Sequence, residues 1–477
     1  MAAPSTTTTK SGYVYRPPEN SYLFVYVLNP FYSALVQWYP TSWTPNGITV
    51  FGIICTFIAS AMLLSVQARD ERLYGGSGLL SATPLGEALP RPGYPLPLQT
   101  KGEVDSLIPL SPAAMRSFAQ LAATSFDVRT AAASTVLIIA GILNLVYCTA
   151  DNTDGKQARR LKLSSPIGEY LDHGLDCVTS LLSTYCLLTV FGLSFSCGLL
   201  ALFVIAFVTT LSHALHYHEG VFIFGGRWFS VDEAMIAFGV GPIAAGLWPS
   251  VASTMFSTVS LLTSLSKQQA ASLTSWNWTF PGDYFSLVRV DAPLIAVGFS
   301  LFLLGQLPMV YTFLRMRLRL AVDRSVLIQL ASIVFFTLAL NHHVGTPGAL
   351  ANTLASQQLH YSIASGWLSP ISGRLPPVVA DFLVDPLILM LTNYRCIAVI
   401  CCAFVASIIV HVHIAGRCLH LEGGGSYVHV YLFVPVVAVL FWVFPVAGMG
   451  AAIVGHFVQI SSNIAALRAR AALAKKQ

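Results

Sequence analysis

Apolar runs of about 20 residues, enough to cross a bilayer as a helix, recur at 47–66, 130–149, 173–194, 197–217, 231–262, 289–313, 325–344, 391–416, 428–446 and 448–466. The strict alternation of a transmembrane barrel is absent, so the pattern predicts an all-α polytopic membrane protein with ten spans. Segment 366–392 is apolar but broken by prolines and is left out of that count. Ahead of the spans, SYLFVYVLNPFYSALVQWYP (21–40) is aromatic-rich and uncharged, with Pro30 and Pro40 limiting it. Such a segment is predicted to lie on the membrane as an interfacial helix, and 21–46 forms one interfacial unit. Residues 1–20 are polar and lack an apolar core, which predicts a flexible tail and not a cleavable signal peptide. Residues 67–129 interrupt the hydrophobic pattern with Gly, Pro and scattered charges, and read as a loop between helices.

Composition agrees and narrows the class. Hydrophobic residues make up 55% of the chain and charged ones 10%, which excludes an ordinary soluble domain and a disordered one. A net charge of +5 suits basic cytosolic loops better than nucleic-acid binding, and no nucleic-acid partner is expected. Nine cysteines are present without a CxxC pair, so neither a zinc site nor a disulfide framework is indicated. They read as small apolar filler.

Basic residues set the orientation. With the N-terminus in the cytosol, alternation places 151–172, 314–324, 417–427 and the C-terminus on the same side. Those segments hold Lys156, Arg159, Arg160, Lys162, Arg315, Arg317, Arg319, Arg324, Arg417, Arg468, Arg470, Lys475 and Lys476. The sequon Asn277-Trp278-Thr279 then falls in the lumen.

One window breaks the rule that charge avoids membrane spans. DNTDGKQARRLKLSSPIGEYLDHGLD (151–176) holds nine of the chain's 47 Asp, Glu, Lys and Arg residues. Charge beside membrane spans is expensive and is usually kept for use. Asp151 and Asp154 are three apart at the end of one predicted helix, and Asp172 and Asp176 are four apart on the next, so each pair can share a face. Pro166 and Gly168 mark the turn between them. Four carboxylates directed at one point need a cation among them. An all-oxygen set selects Mg²⁺ or Mn²⁺, and four carboxylates suffice for two ions. Two such ions suit phosphoryl transfer. Gly155 and Ala158 lack bulk, which lets a phosphate approach, and Arg159 can neutralise it.

The spacing Asp-x-x-Asp-Gly-x-x-Ala-Arg, eight residues, then Gly-x-x-x-Asp-x-x-x-Asp resembles the CDP-alcohol phosphotransferase signature at every defined position. The text DGKQARR and SPIGEYLDHGLD is similar to the eukaryotic choline/ethanolamine phosphotransferase branch, as is LNPFYSALVQWYPTSWTPNGITVFG (28–52) with its Pro45-Asn46 pair. HALHYHEG (213–220) and SVDE (230–233) are looser counterparts. The resemblance implies a catalytic core over 47–265, with 67–129 as an insertion longer than the family loop, followed by C-terminal transmembrane helices over 266–477.

By the same resemblance, phosphoethanolamine or phosphocholine passes from its CDP derivative to the hydroxyl of diacylglycerol, releasing CMP. Asp151, Asp154, Asp172 and Asp176 would bind the two metal ions. Gly155, Ala158, Arg159 and Gly168 would border the nucleotide, and Asn46 would touch its cytidine. A homodimer in the endoplasmic reticulum or Golgi membrane is expected, with the site facing the cytosol. Leu175 in DHGLD looks like ethanolamine-type members.

Two groups compete to take the proton from the acceptor hydroxyl. His173 follows Glu169 by four residues, so a helix would let the carboxylate orient the imidazole. Asp176 is the alternative, although metal binding makes a carboxylate a poor base. Blander roles stand beside these. Asn46 could cap the first span, and Lys156, Arg160 and Lys162 could be topology signals alone. His213, His216 and His218 read as packing or interfacial residues, and His411 and His413 as helix-end residues without chemistry. Membrane prenyltransferases also use aspartate-rich motifs, but theirs are far apart, whereas 17 residues separate Asp154 from Asp172 here. A cation-coupled transporter would spread charge along several spans, and the spans after 233 are nearly free of it.

Overall fold

The computed structural model describes residues 21–74, 131–190, 195–220, most of 222–228, 230–247, 324–344, 394–419 and 428–474, together with Pro370 and Arg374. The predicted tail 1–20, most of the 67–129 insertion, the span at 289–313 and the sequon at Asn277 lie outside them. Among the described residues the chain is helical, with one isolated bridge between Gly225 and Ser230. A π-turn (Phe24–Leu28), helix α1 (Asn29–Leu35) and a 3₁₀ turn (Val36–Trp38) form the entry segment. Then follow α2 (Pro45–Tyr74), α3 (Ala131–Leu161), α4 (Pro166–Val190), α5 (Phe195–Glu219) and α6 (Val231–Leu247). The C-terminal part supplies α7 (Arg324–Val344), α8 (Tyr394–Cys418), α9 (Val428–Val443) and α10 (Pro445–Ala474).

Five of these helices are long and apolar enough to cross a membrane, and the chain is an integral membrane protein. Exposed apolar side chains cover the outside of the bundle, as lipid contact requires: Phe51 and Ile54 on α2, Val454, Phe457 and Val458 on α10. The entry segment exposes Tyr26, Phe31, Trp38 and Trp43. Helix α8 is the opposite case. Its whole apolar length is buried, and it packs against α4, α5, α7 and α10. All eight described cysteines are buried, in keeping with their reading as filler.

Local chemistry sets the helix ends around the aspartate window. Thr44 caps α2: its Oγ1 accepts from the Gly47 N–H at 3.2 Å, and Pro45 opens the helix. Asn46 is therefore not the cap that its position allowed. Helix α3 runs to Leu161, three turns past the predicted span, because hydropathy marks the membrane and not the helix end. It closes on Lys162 in the left-handed region (φ 58°), with the Leu163 N–H donating to the Ala158 carbonyl at 2.8 Å. This is a Schellman closure with lysine in the usual glycine place. Ser165 then caps α4 by accepting from the Gly168 N–H at 3.2 Å. The connection from Lys162 to Ser165 reverses the chain so that side chains of α4 reach those of α3 at the aspartates.

Helix α3 lies between α2 and α6. Its approach to α6 is close: a Cβ on Gly141 would stand 2.5 Å from the Gly239 carbonyl oxygen. Ser230 and Glu233 form a capping box at the start of α6, the Ser230 N–H donating to Glu233 Oε2 at 2.7 Å. The SVDE sequence thus has a local structural role.

Candidate active site

Three of the four aspartates meet. Carboxylate oxygens of Asp151 on α3 and of Asp172 and Asp176 on α4 lie within 4.8 Å of one another, each residue half-buried. Among the described residues no lysine or arginine forms an ion pair with any of the three. Tyr147, one turn before Asp151, donates its hydroxyl to Asp176 Oδ1 at 2.8 Å and contacts the Thr179 hydroxyl at 3.0 Å. Like charges this close repel strongly where water is scarce. The cluster offers only hard oxygen donors, and a divalent cation of the Mg²⁺ or Mn²⁺ kind fits it.

Asp154 stands apart from this triad. It is buried, and its carboxylate accepts hydrogen bonds from the Thr49 hydroxyl of α2 and from the Gly155 N–H. The hydroxyl of Thr49 also reaches the Pro45 carbonyl, 3.2 Å away. The expected fourfold convergence is therefore three plus one, with the fourth carboxylate tied to the first turn of α2. Asn46 in that same turn is close by: its Oδ1 lies 3.4 Å from where a Cβ on Gly168 would stand. The two halves of the predicted nucleotide border thus adjoin.

Basic residues of the window divide into two uses. Arg159 is exposed, one turn from Gly155 on the same helix, and Ala158 beside it is half-buried. Lys156, Gln157 and Arg160 hold the entry segment. Lys156 Nζ donates to Asn29 and to Ser33, Gln157 Nε2 to the carbonyls of Pro40 and Trp43 at 3.1 Å, and Arg160 Nη1 to those of Val36 and Tyr39 at 2.9 and 2.8 Å. Tyr39 adds a contact to the Thr153 hydroxyl at 3.2 Å, and Tyr32 one to Cys148 Sγ at 3.4 Å. Burial, with Cys148 beside it, raises the Tyr32 phenol far above its ordinary range, so it stays neutral. Lys156 and Arg160 are more than topology signals: they clasp the entry segment to the aspartate helix.

Glu169 and His173 do not form the pair that their spacing suggests. The Glu169 carboxylate engages the Arg417 guanidinium at the last turn of α8, and neither of its oxygens accepts a hydrogen bond. His173 instead packs its ring against Phe222 (5.2 Å between centroids), His213 (5.7 Å) and His216 (6.4 Å). Its Nε2 is buried without a hydrogen-bond partner. The i, i+4 rule placed the two side chains on neighbouring faces, and an opposite charge from another helix captured the carboxylate. His213 and His216, expected as packing residues, do pack here. His411 and His413 are not helix-end residues but are buried within α8.

Sequence reasoning missed three residues. Tyr147 was within reach, since one helical turn separates it from Asp151. Thr49 was half-legible, one turn into a helix opened by Pro45. Arg417 gave no local signal, because its partner lies on a helix distant in sequence.

Residues 112–277 match the family model described as CDP-alcohol phosphatidyltransferase. It is 39% identical over 112 residues to ethanolaminephosphotransferase 1 of Homo sapiens, covering 22% of this chain and 27% of that protein. Choline/ethanolaminephosphotransferase 1 of Arabidopsis thaliana is 28% identical over 166 residues, 35% of this chain and 28% of the relative. An uncharacterized CDP-alcohol phosphatidyltransferase class-I family protein 2 of Dictyostelium discoideum is 31% identical over 108 residues, 23% of this chain and 26% of its own length. The matched segments span about a quarter of these curated relatives.

Proposed function

We propose that the chain transfers phosphoethanolamine, with phosphocholine as its second headgroup, from the CDP-alcohol to the free hydroxyl of diacylglycerol. In this reaction the acceptor oxygen bonds to the phosphorus that bears the alcohol. The bond from that phosphorus to CMP breaks, and CMP leaves with the electron pair. The observation that carries the reading is the meeting of Asp151, Asp172 and Asp176 inside the matched domain. The similarity to a protein named ethanolaminephosphotransferase supports the headgroup order.

Asp151, Asp172 and Asp176 would hold divalent metal, Mg²⁺ or Mn²⁺, with Asp154 completing a two-ion set. Bound metal would neutralise the pyrophosphate and stabilise the leaving phosphate. Tyr147 orients Asp176 by its hydrogen bond. Thr49 does the same for Asp154. Arg159, exposed at the end of α3, is free to meet the nucleotide phosphates, while Asn46, Gly155, Ala158 and Gly168 border the base and ribose. His173 is the group proposed to take the hydroxyl proton, because its Nε2 has no partner whereas Asp176 is committed to the acidic triad and Tyr147. Glu169 serves this group through its own pairing with Arg417. The proposed setting is a homodimer in the endoplasmic reticulum or Golgi membrane, site to the cytosol. The proposed division is 21–46 as interfacial element, 47–265 as catalytic core and 266–477 as C-terminal helices.

The test of the headgroup is a competition assay on purified protein with diacylglycerol and Mn²⁺, CDP-ethanolamine and CDP-choline present together. Phosphatidylethanolamine should dominate the product. Phosphatidylcholine as the main product would reverse the headgroup order.

A further inference from the structure

Glu169 and Arg417 join parts of the chain that the family match keeps separate. Glu169 lies in the first turn of α4, three residues before Asp172 and four before His173. Arg417 lies in the last turn of α8, beyond the matched 112–277 segment. Their side chains are 4% and 18% exposed, so water screens the pair weakly. Each also sits at the helix end that favours its charge, the anion at an N-terminus and the cation at a C-terminus. The end of α8 is fixed in place: the Tyr217 ring of α5 rests where a Cβ on Gly416 would stand, 2.9 Å away, and 6.0 Å from the His413 ring.

The pair has two consequences for the site. A buried carboxylate one turn from Asp172 would add to the repulsion among the aspartates if it stood alone, and Arg417 offsets its charge. With Glu169 paired to Arg417, neither of its oxygens hydrogen-bonds His173, whose Nε2 is left without a hydrogen-bond partner. We propose that Arg417 is a positioning residue of the phosphotransfer site: it holds Glu169 off His173, so that His173 can accept the hydrogen bond of the acceptor hydroxyl. The C-terminal helices then contribute to the reaction through α8 as well as enclosing it. This inference rests on the phosphotransferase reading.

The test compares Arg417→Ala, Arg417→Lys, Glu169→Gln and the Arg417→Ala/Glu169→Gln double variant with wild type, in the full-length protein. Turnover, KM for CDP-ethanolamine and thermal stability are all measured. Arg417→Ala should lower kcat by about 10- to 100-fold with KM changed by less than about 3-fold, since Arg417 lies on α8 and the residues assigned to metal and nucleotide lie on α2, α3 and α4. Arg417→Lys should recover part of the loss. Glu169→Gln in the Arg417→Ala background should raise kcat again by about 10-fold, because the carboxylate that would capture His173 is gone. An Arg417→Ala protein with wild-type kcat would overturn the proposal. So would a double variant slower than Arg417→Ala, which would make Glu169 the direct partner of His173. Parallel loss of kcat, KM and stability, with no recovery in the double variant, would reduce the pair to a structural one. A wild-type protein that makes no phospholipid would instead overturn the functional reading itself.

Discussion

Helix α4 buries polar groups on two faces, and they are finished differently. On one face Asp172 and Asp176 meet Asp151, three carboxylates of like charge with Tyr147 as one neutral donor. On the other, Tyr170 and Gly174 meet α8 and α10. There the Tyr170 hydroxyl lies 2.9 Å from His411 Nδ1 and accepts from Asn463 Nδ2 at 2.8 Å, and Asn463 Oδ1 accepts from Gln459 at 3.3 Å. A Cβ on Gly174 would stand 2.5 Å from the His411 ring, so the glycine is what admits the imidazole. The second face is made of groups that can all be neutral and that partner one another, save the buried His411 Nε2, which has no hydrogen-bond partner. Such a network ties helices together where lipid offers no hydrogen bonds. The first face cannot satisfy itself, since carboxylates supply acceptors and charge of one sign only. In a membrane protein that incompleteness points to a ligand. Polarity alone does not separate architecture from chemistry; the difference lies in whether charge of one sign is left uncompensated.

Substitutions on the two faces should therefore have opposite signatures. The largest effect is expected at the acidic face. Asp172→Asn or Asp151→Ala should reduce turnover by about 10³-fold or more while thermal stability holds or rises, because a repelling charge has been removed. A large loss of stability in either would place these residues with the architectural face. Chelation of divalent metal comes next: activity should vanish, and return on adding Mn²⁺ or Mg²⁺ but not Na⁺. Tyr147→Phe should cost about 10-fold in turnover, the usual scale for a group that orients a metal ligand. Unchanged turnover there would mean that Asp176 needs no orienting donor. On the other face, Gly174→Ala should destabilise by about 1–3 kcal/mol through overpacking against His411. The smallest effect is Tyr170→Phe, a loss of about 1 kcal/mol of stability with kcat within about 2-fold of wild type. A tenfold fall in kcat for Tyr170→Phe would erase the distinction between the faces.

The same contrast explains what the sequence could reveal. The acidic face was legible because its members are close in sequence and helical spacing alone aligns them: Asp172 with Asp176, and Asp151 at the end of the preceding span. The turn between them was legible too, through Pro166 and Gly168. Among the described residues hydropathy found the helices but not their ends, and α3 runs on past Ala150 and carries Asp151 and Asp154 in regular structure. The separation of Asp154 from the triad was not legible because its partner, Thr49, comes from another helix. Glu169 was misjudged for the same reason, since spacing offered His173 and tertiary packing delivered Arg417. His411 looked idle because its partners, Tyr170 and the residue that admits its ring, lie on α4. Contacts within one helix can be read from a period; contacts between distant helices cannot.

The most direct test of the account is release of CMP and formation of phosphatidylethanolamine by the purified protein, given CDP-ethanolamine, diacylglycerol and Mn²⁺, beside the Asp172→Asn variant. Metal-dependent product from the wild type, and none above background from a folded Asp172→Asn protein, is the predicted result. Equal turnover by the two proteins, or turnover that survives removal of metal, would contradict it.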